Sequence, residues 1–214
     1  MTVRLRIDPR KPDAGAVARV GAILRAGGVV AFPTETFYGL GADSRLRAAV
    51  EKVFRLKGRT ERNPLSVVVA SEQEVIPLVA EVPAAARTLM HTFWPGALTL
   101  VFAASTAVLP LLTAGTGKIG IRVSSHPVAR LLARELAGPL TATSANLTGG
   151  RECSTAAEVM EIFGDGLDAV IDAGNTAGGL GSTILDVTVS PPRVLREGVV
   201  AARDISTVLG IPGR

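Results

Sequence analysis

Cysteine and histidine are scarce in this sequence of 214 residues. It contains one cysteine, Cys153, and two histidines, His91 and His126. A single thiol excludes an internal disulfide, and these three residues do not have the spacing of a zinc site. The sequence therefore predicts a fold that needs no disulfide framework, and it predicts no metal site made of protein ligands.

Long apolar runs are also absent. Apolar residues make up 47% of the chain, but they are dispersed, and no stretch approaches the roughly 18 residues that a membrane-spanning helix needs. Residues 1–13 carry arginine and lysine between short apolar steps, unlike the continuous apolar segment of a signal peptide. These absences predict a cytoplasmic protein with no membrane segment.

The length of the chain predicts a single domain, 1–214, whose last residues, 200–214, form a C-terminal tail. Because 18 residues follow Arg196, we expect no further C-terminal domain. The net charge is +4, and arginine is far more frequent than lysine. Such a charge is compatible with nucleotides or RNA as partners, but the base composition of a genome also explains it, and charge alone favours that second explanation.

Hydrophobic periodicity predicts strands and helices in irregular alternation. We expect strands at 3–7, 29–32, 65–70, 98–103, 118–123, 140–143, 169–172, 183–187 and 194–195, and helices at 16–25, 126–137 and 155–163. Further helices are expected after Ser44, after Ser71 and from Pro83, with Ser44 as an N-cap and Ser71 with Glu74 as a capping box. The order predicts an α/β fold, a single-domain twisted mixed parallel and antiparallel sheet with flanking helices.

A polar loop follows the predicted strand 29–32. Residues 33–41 place Thr34, Glu35, Thr36 and Tyr38 at the carboxyl end of that strand, where α/β sheets bind ligands. The same residue types also satisfy backbone groups in ordinary turns, and the residues alone do not decide between a site and a turn.

Basic residues lie at the end of the helix that follows Ser44. Lys57 and Arg59 are followed by Arg62 and Asn63. Cations near a helix C-terminus commonly interact with the helix dipole, but two of them so close together can also bind one polyphosphate.

Further candidates follow or interrupt later strands. Ser144 and Asn146 follow strand 140–143, where they indicate either a turn or a site for phosphate or ribose oxygens. Arg122 lies inside an apolar strand, so its guanidinium needs an anionic partner in the protein or in a ligand. Ser182 and Arg196 add a hydroxyl and a guanidinium near the last two strands.

Taken together, these segments resemble the YrdC-like family, the threonylcarbamoyl-AMP synthases. The segments that carry the resemblance are 33–41, 57–65, 94–99, 119–123, 144–149, 182–183 and 195–198, in the expected order over nearly the whole chain. The resemblance implies a twisted mixed sheet with a positively charged concave face. It also implies the short form of the family, without an additional C-terminal domain.

The resemblance assigns roles to individual residues. The residues implied in ATP binding are Lys57, Arg59, Asn63, Lys118, Ser144, Asn146, Cys153 and Arg196, with Lys57 and Arg59 also catalytic. Those implied in threonine binding are Thr36, Arg122, Ala142 and Ser182, with Arg122 on the carboxylate. Two positions depart from the family pattern: Val68 replaces a histidine found in some relatives, and Cys153 replaces a serine.

The implied reaction joins L-threonine, bicarbonate and ATP into threonylcarbamoyl-AMP and pyrophosphate, with Mg²⁺ entering with ATP and no tightly bound organic cofactor. A separate tRNA threonylcarbamoyl transferase would use the product, and tRNA or RNA is a possible direct partner. The alternative that stays open is a nonenzymatic RNA-binding or ribosome-associated protein that uses the same basic cavity. The lack of zinc-finger and acylphosphatase-like segments argues against a third function, carbamoyl transfer for metallocentre maturation. The enzyme hypothesis requires that Arg59, Arg122, Ser144 and Arg196 face one cavity.

Overall fold

Strands and helices alternate along the computed structural model, which describes residues 1–60 and 63–211. The strands are β1 (Val3–Arg6), β2 (Val30–Pro33), β3 (Tyr38–Gly41), β4 (Val67–Val68), β5 (Leu98–Ala103), β6 (Lys118–Arg122), β7 (Leu140–Thr141), β8 (Thr143–Ser144), β9 (Ala169–Asp172), β10 (Thr183–Asp186) and β11 (Arg193–Arg196). The α-helices are α1 (Ala14–Arg25), α2 (Arg47–Lys57), α3 (Ala84–Phe93), α4 (Pro110–Thr113), α5 (Pro127–Leu136), α6 (Ala156–Phe163) and α7 (Ala202–Leu209). Two 3₁₀ helices span Glu72–Leu78 and Gly164–Gly166.

The strands form two mixed sheets. In the first the order is β1-β9-β2-β3-β8, with β1, β9 and β2 parallel and the last two strands antiparallel to their neighbours. The second has the order β11-β10-β5-β6-β4-β7, in which parallel and antiparallel pairs alternate. The predicted α/β fold with mixed strand directions and flanking helices is confirmed, but its strands belong to two sheets.

One short segment connects the two sheets. The predicted strand 140–143 is divided at Ala142, so that β7 pairs with β4 in the second sheet and β8 pairs with β3 in the first. The Ala142 amide donates to the Ser66 carbonyl, 2.8 Å away, and the Ala145 amide donates to the Tyr38 carbonyl, also 2.8 Å away. The chain therefore passes directly from one sheet to the other here.

Two apolar cores hold the sheets and helices together. The larger core joins residues of both sheets to α2, α3, α6 and α7, and the smaller packs α1 and α5 on the other face of the first sheet. Strand β2 contributes to both, because Ala31 belongs to the larger core while Val30 and Phe32 belong to the smaller one. Burial on both faces explains the continuous apolar run that predicted this strand.

Several predicted helix starts are confirmed, and two are corrected. Thr155 and Glu158 form the predicted capping box of α6. Ser44 does not cap α2: its hydroxyl donates to the Pro139 carbonyl at 2.8 Å, and Leu46 is the N-cap. The segment after Ser71 is a 3₁₀ helix with Pro77 inside it, and proline removes the amide that an α-helix would need there.

Two elements lie where the sequence predicted loop or tail. Strand β3 occupies residues 38–41 of the predicted loop 33–41. Helix α7 lies in the predicted tail, and its Ile205 is buried in the larger core. Glycine in β3 weakened its strand signal, since glycine is rare in strands and Gly39 and Gly41 flank Leu40. None of the helices in the described residues is long and apolar enough to cross a membrane.

Candidate functional site

A cavity of about 190 Å³ opens where the two sheets meet. Segments from both sheets contribute to its walls, including the loop between β2 and β3, the residue after the C-cap of α2, the end of β6 and the link between β7 and β8. Its lining residues are Thr34, Thr36, Phe37, Tyr38, Gly39, Arg59, Pro64, Ser66, Val67, Thr99, Arg122, Ala142, Thr143, Ser144, Glu152, Gly181, Ser182, Ile184 and Arg196.

Arg122 is the last residue of β6, and it is buried. Its Nη1 donates to Glu35 Oε1 at 2.9 Å, which supplies the anionic partner that the sequence required. Burial lowers the pKa of the Arg122 guanidinium, the charge of Glu35 raises it, and the nearby Arg196 lowers it further. Arg122 and Arg196 both line the cavity.

Arg59 enters the cavity because of the way α2 ends. Gly58 has φ of 57° as the C-cap, a conformation that favours glycine, and the Arg59 amide donates back to the Phe54 carbonyl at 3.0 Å. The guanidinium donates to the Pro64 carbonyl at 2.8 Å and to Thr143 Oγ1 at 3.3 Å. Its buried Nε has no partner among the described residues, and burial lowers the pKa of the group.

Arg196 ends β11 at the edge of the second sheet, and Ser182 directly precedes β10, the strand that pairs with β11. Nη2 of Arg196 donates to the Ser182 carbonyl at 2.7 Å, and Ser182 Oγ is 3.0 Å from Thr99 Oγ1. A side chain at Gly198 would collide with the Gly181 carbonyl oxygen, so the chain can approach closely here only with glycine. The close approach holds the guanidinium beside the serine.

Two threonine residues of the loop between β2 and β3 also line the cavity. Thr34 Oγ1 and Thr36 Oγ1 are 3.1 Å apart, and the Thr36 carbonyl accepts from the Gly178 amide at 2.8 Å. The loop between β2 and β3 is therefore held by its own side chains and by the loop that precedes β10. These hydroxyls can donate to or accept from a polar ligand.

Lys57, the last residue of α2, lies behind the cavity wall. Its Nζ donates to the Ser144 carbonyl at 2.5 Å, and to the carbonyl and side-chain oxygens of Asn146 at 2.8 Å each. The Ser144 hydroxyl donates to the same side-chain oxygen at 2.8 Å. Burial, followed by the charge of Arg59, lowers the pKa of Lys57 to about 8. In this structure the lysine holds the segment that presents Ser144.

The structure brings seven of the predicted site residues to one cavity. They are Thr36, Arg59, Arg122, Ala142, Ser144, Ser182 and Arg196, and they include the four whose convergence the enzyme hypothesis required. Lys57, Asn63, Lys118, Asn146 and Cys153 are not in the lining as far as the described residues form it. Arg62 lies outside the described residues.

Three of those five residues have other surroundings. Lys118 begins β6 while Arg122 ends it, about 13 Å away at the rise of a strand, and its Nζ pairs with Asp186 at 2.9 Å. Cys153 is buried, and burial raises the pKa of its thiol to about 11, so the thiol stays protonated at neutral pH. Asn63 is exposed and donates to Thr60 Oγ1 at 3.2 Å. Their assignment to ATP binding stays a prediction.

Sequence reasoning missed several lining residues, among them Ser66, Thr99 and Glu152. Thr99 and Ser66 reach the cavity through strand pairing and the link between the sheets, so no local motif marks them. Glu35 lies behind the lining, and its signal was the need of Arg122 for an anion. Guanidinium groups and hydroxyls dominate the site, which suits it to bind anionic groups.

Comparisons with known proteins agree with this architecture. A family model for the Sua5, YciO and YrdC proteins, described as telomere recombination, matches residues 22–198. The threonylcarbamoyl-AMP synthase of Bacillus subtilis is 40% identical over 195 residues, 91% of this chain and 56% of that protein. The crystal structure of Pyrococcus abyssi Sua5 complexed with L-threonine superposes with a TM-score of 0.93 at 35% identity, covering 98% of this chain and 61% of that one.

Relatives of different lengths share the fold. Escherichia coli YciO is matched over its whole length, with a TM-score of 0.88 and 26% identity over 96% of this chain. In contrast, the chain spans 56% and 60% of the lengths of the B. subtilis and P. abyssi threonylcarbamoyl-AMP synthases. The match therefore concerns the part of those proteins that corresponds to this fold.

Proposed function

Because the chain belongs to the Sua5/YciO/YrdC family, we propose that it is a threonylcarbamoyl-AMP synthase, which condenses L-threonine, bicarbonate and ATP into threonylcarbamoyl-AMP and pyrophosphate. The convergence of Arg59, Arg122 and Arg196 on one cavity carries the proposal. Both reactants, a carbamate and a triphosphate, are anions, and they must be held side by side. Guanidinium groups from three separate segments offset that repulsion.

We assign the threonine end of the cavity to the neighbourhood of Arg122. Its guanidinium would bind the carboxylate of threonine, with Thr36 and Ser182 supplying hydroxyls and Ala142 supplying backbone groups. The P. abyssi protein, whose structure was solved with L-threonine, supports threonine as the amino acid. Specific binding at this end requires that the guanidinium be fixed before the amino acid arrives.

We assign the nucleotide end to Arg59, Ser144 and Arg196. Arg59 lines the cavity and would supply its guanidinium to a phosphate oxygen, and Ser144 is held in place by Lys57 and Asn146. Lys57 would then act through Ser144 and Asn146, as well as through its positive charge. Phosphoryl transfer depends mainly on positioning and charge neutralisation, which this set of residues can supply.

The chemistry divides into two steps. The amine of threonine attacks CO₂ and loses a proton, or it attacks bicarbonate, whose C–O bond breaks with loss of water; either route forms a C–N bond and a carbamate. A carbamate oxygen then attacks the α-phosphorus of ATP, the bond to the β-phosphate oxygen breaks, and pyrophosphate leaves with the electron pair. The arginines stabilise the negative charge that builds on the leaving group, so the site needs no histidine or cysteine nucleophile.

Mg²⁺ is expected to enter with ATP. Among the described residues no three His, Cys, Asp or Glu side chains cluster as a metal site, and Glu152 is the one carboxylate that lines the cavity. Mg²⁺ commonly binds through phosphate oxygens and water with few protein ligands, and this donor set fits that mode. When bound, the ion would neutralise the charge of the triphosphate.

The product is a reactive mixed anhydride and needs an acceptor. We propose that a separate tRNA threonylcarbamoyl transferase takes the group from the adenylate to adenosine in tRNA, which places this enzyme in the cytoplasm. Direct binding of tRNA by this chain is a further part of the proposal, consistent with the net charge of +4.

A pyrophosphate-release assay tests the function. The purified chain should release pyrophosphate with threonine, bicarbonate, ATP and Mg²⁺ together, and release should fall to background when any one is omitted. Threonylcarbamoyl-AMP should accumulate in equal amount, measured by mass spectrometry. Salt-sensitive RNA binding without any threonine-dependent pyrophosphate release would instead support the nonenzymatic RNA-binding alternative.

A further inference from the structure

We propose that Glu35 is a positioning residue, which fixes the guanidinium of Arg122 for the carboxylate of the amino acid substrate. The inference rests on the proposed function, and it concerns a residue that lies behind the cavity lining. Thr34 and Thr36 on either side of Glu35 line the cavity, while the Glu35 carboxylate reaches Arg122 and Ser124.

The pair of Glu35 and Arg122 is largely removed from solvent. The Nη1 to Oε1 distance is 2.9 Å, and the two side chains are 15% and 9% exposed. Glu35 is the hydrogen-bond partner of the Arg122 side chain among the described residues. Removing one member of a buried ion pair leaves the other charge uncompensated, so the geometry of Arg122 depends on Glu35.

A second contact fixes Glu35 itself. The Ser124 hydroxyl donates to Oε2 of Glu35 and accepts from the His126 amide at 3.1 Å. His126 is the N-cap of α5, and its Nδ1 accepts from the Val128 amide at 3.3 Å. The carboxylate is thus held near the positive end of a helix dipole, where negative charge is favourable.

This arrangement divides the donors of Arg122. Nη1 is committed to Glu35, and the remaining N–H groups of this cavity-lining residue are left for a ligand. Arg196 lies close enough to oppose the charge of Arg122, and Glu35 counters that effect. Without Glu35 the repulsion between the two guanidinium groups would be uncompensated, and Arg122 would lose the hydrogen-bond partner that orients it.

The test measures threonine dependence in Glu35→Gln, which keeps the size of the side chain and removes its charge. We expect the KM for threonine to rise about tenfold or more, with the KM for ATP and kcat changed less than about threefold, because orientation affects one substrate. Glu135→Gln is the matched control: Glu135 pairs with Arg25 at 3.3 Å on the surface, so its loss should leave every constant unchanged.

A double variant distinguishes action through Arg122 from a general structural effect. If Glu35 works through Arg122, Glu35→Gln should add little to the rise in KM that Arg122→Lys causes alone, whereas independent effects would multiply. Ser124→Ala should raise the KM for threonine by a smaller factor, which keeps the test valid if Glu35→Gln does not fold. A fall in kcat without a selective rise in the KM for threonine would overturn the inference. A multiplied effect in the double variant would overturn it as well.

Direct threonine binding separates this inference from the proposed function. Absence of threonine-dependent pyrophosphate release in the wild type contradicts the function. Even in that case, the affinity for threonine, measured by calorimetry, should be about tenfold lower in Glu35→Gln than in the wild type. An unchanged affinity refutes the role of Glu35 while leaving the function intact, and a wild type that does not bind threonine refutes both.

Discussion

Three arginines reach the cavity by three different routes. Arg122 ends a buried strand, Arg59 follows the C-cap glycine of α2, and Arg196 ends the edge strand β11. Each is held through a different acceptor: the Glu35 carboxylate, the Pro64 carbonyl and the Ser182 carbonyl. Their side chains are therefore oriented before any ligand arrives, which reduces the entropic cost of binding.

Loss of either nucleotide-end arginine should nearly abolish catalysis. We expect Arg59→Ala and Arg196→Ala to lower the kcat/KM for ATP at least about 100-fold, since each removes a donor from the developing charge. Arg193→Ala is the matched control for Arg196→Ala, because Arg193 is exposed on the same strand and does not line the described cavity. Thermal unfolding should be unchanged in all three variants. Wild-type turnover in either cavity variant would contradict the assignment of ATP to this end.

Lys57 is a buried basic residue whose contacts indicate a structural role in addition to the role that the sequence predicted. The sequence resemblance assigned it to catalysis, and the structure places its Nζ against three oxygens of the segment that carries Ser144. Its catalytic role stays a prediction. Its contribution to stability can be measured separately through its titration.

The stability contributed by Lys57 should increase in alkaline solution. Its folded-state pKa is about 8, below the value of about 10.4 for lysine in an unfolded chain. Between these values the unfolded chain binds more protons, so the free energy of unfolding increases with pH. Compared with Lys57→Met, the wild type should gain stability in urea denaturation from about pH 8 to pH 10, and the difference should be constant below about pH 7. A constant difference between the wild type and Lys57→Met over this range would refute the shifted pKa.

At the scale of elements, local signals determined some helix termini and tertiary contacts determined others. The box of Thr155 and Glu158 needs only neighbouring residues, with the Thr155 hydroxyl accepting from the Glu158 amide at 3.1 Å. Ser44 has the right residue type, but its hydroxyl bonds to Pro139, which is distant in sequence. A cap motif predicts a helix start when no tertiary acceptor competes for the side chain.

Removal of the α6 cap should lower stability and leave catalysis unchanged. We expect Thr155→Ala to reduce the free energy of unfolding by about 1 kcal/mol, because it loses one of the two bonds of the capping box. Thr155→Ser keeps the hydroxyl and should retain most of that energy. Neither variant touches the described cavity lining, so pyrophosphate release at saturating substrates should match the wild type. A stable Thr155→Ala would show that packing of Ala156 and Val159 in the larger core is sufficient to hold the helix.

At the scale of the whole molecule, the cavity exists because two sheets meet. Residues of β3 and β8 come from the first sheet, and residues of β4, β5, β6, β10 and β11 come from the second. The link at Ala142 joins the two at the cavity itself. Any substitution that separates the sheets would therefore change both ends of the site together.

The sequence by itself determined the fold class, most strands and helices, and the residue types of the site. It did so because burial and helix capping leave periodic, local patterns, and because Arg122 in an apolar strand requires an anion. Only the tertiary structure decided which hydroxyls and carboxylates reach the cavity. Thr99 and Ser66 line the cavity through strand pairing and the link between the sheets, and Glu35 meets Arg122 from a distant segment behind the lining. Such contacts leave no pattern in neighbouring residues.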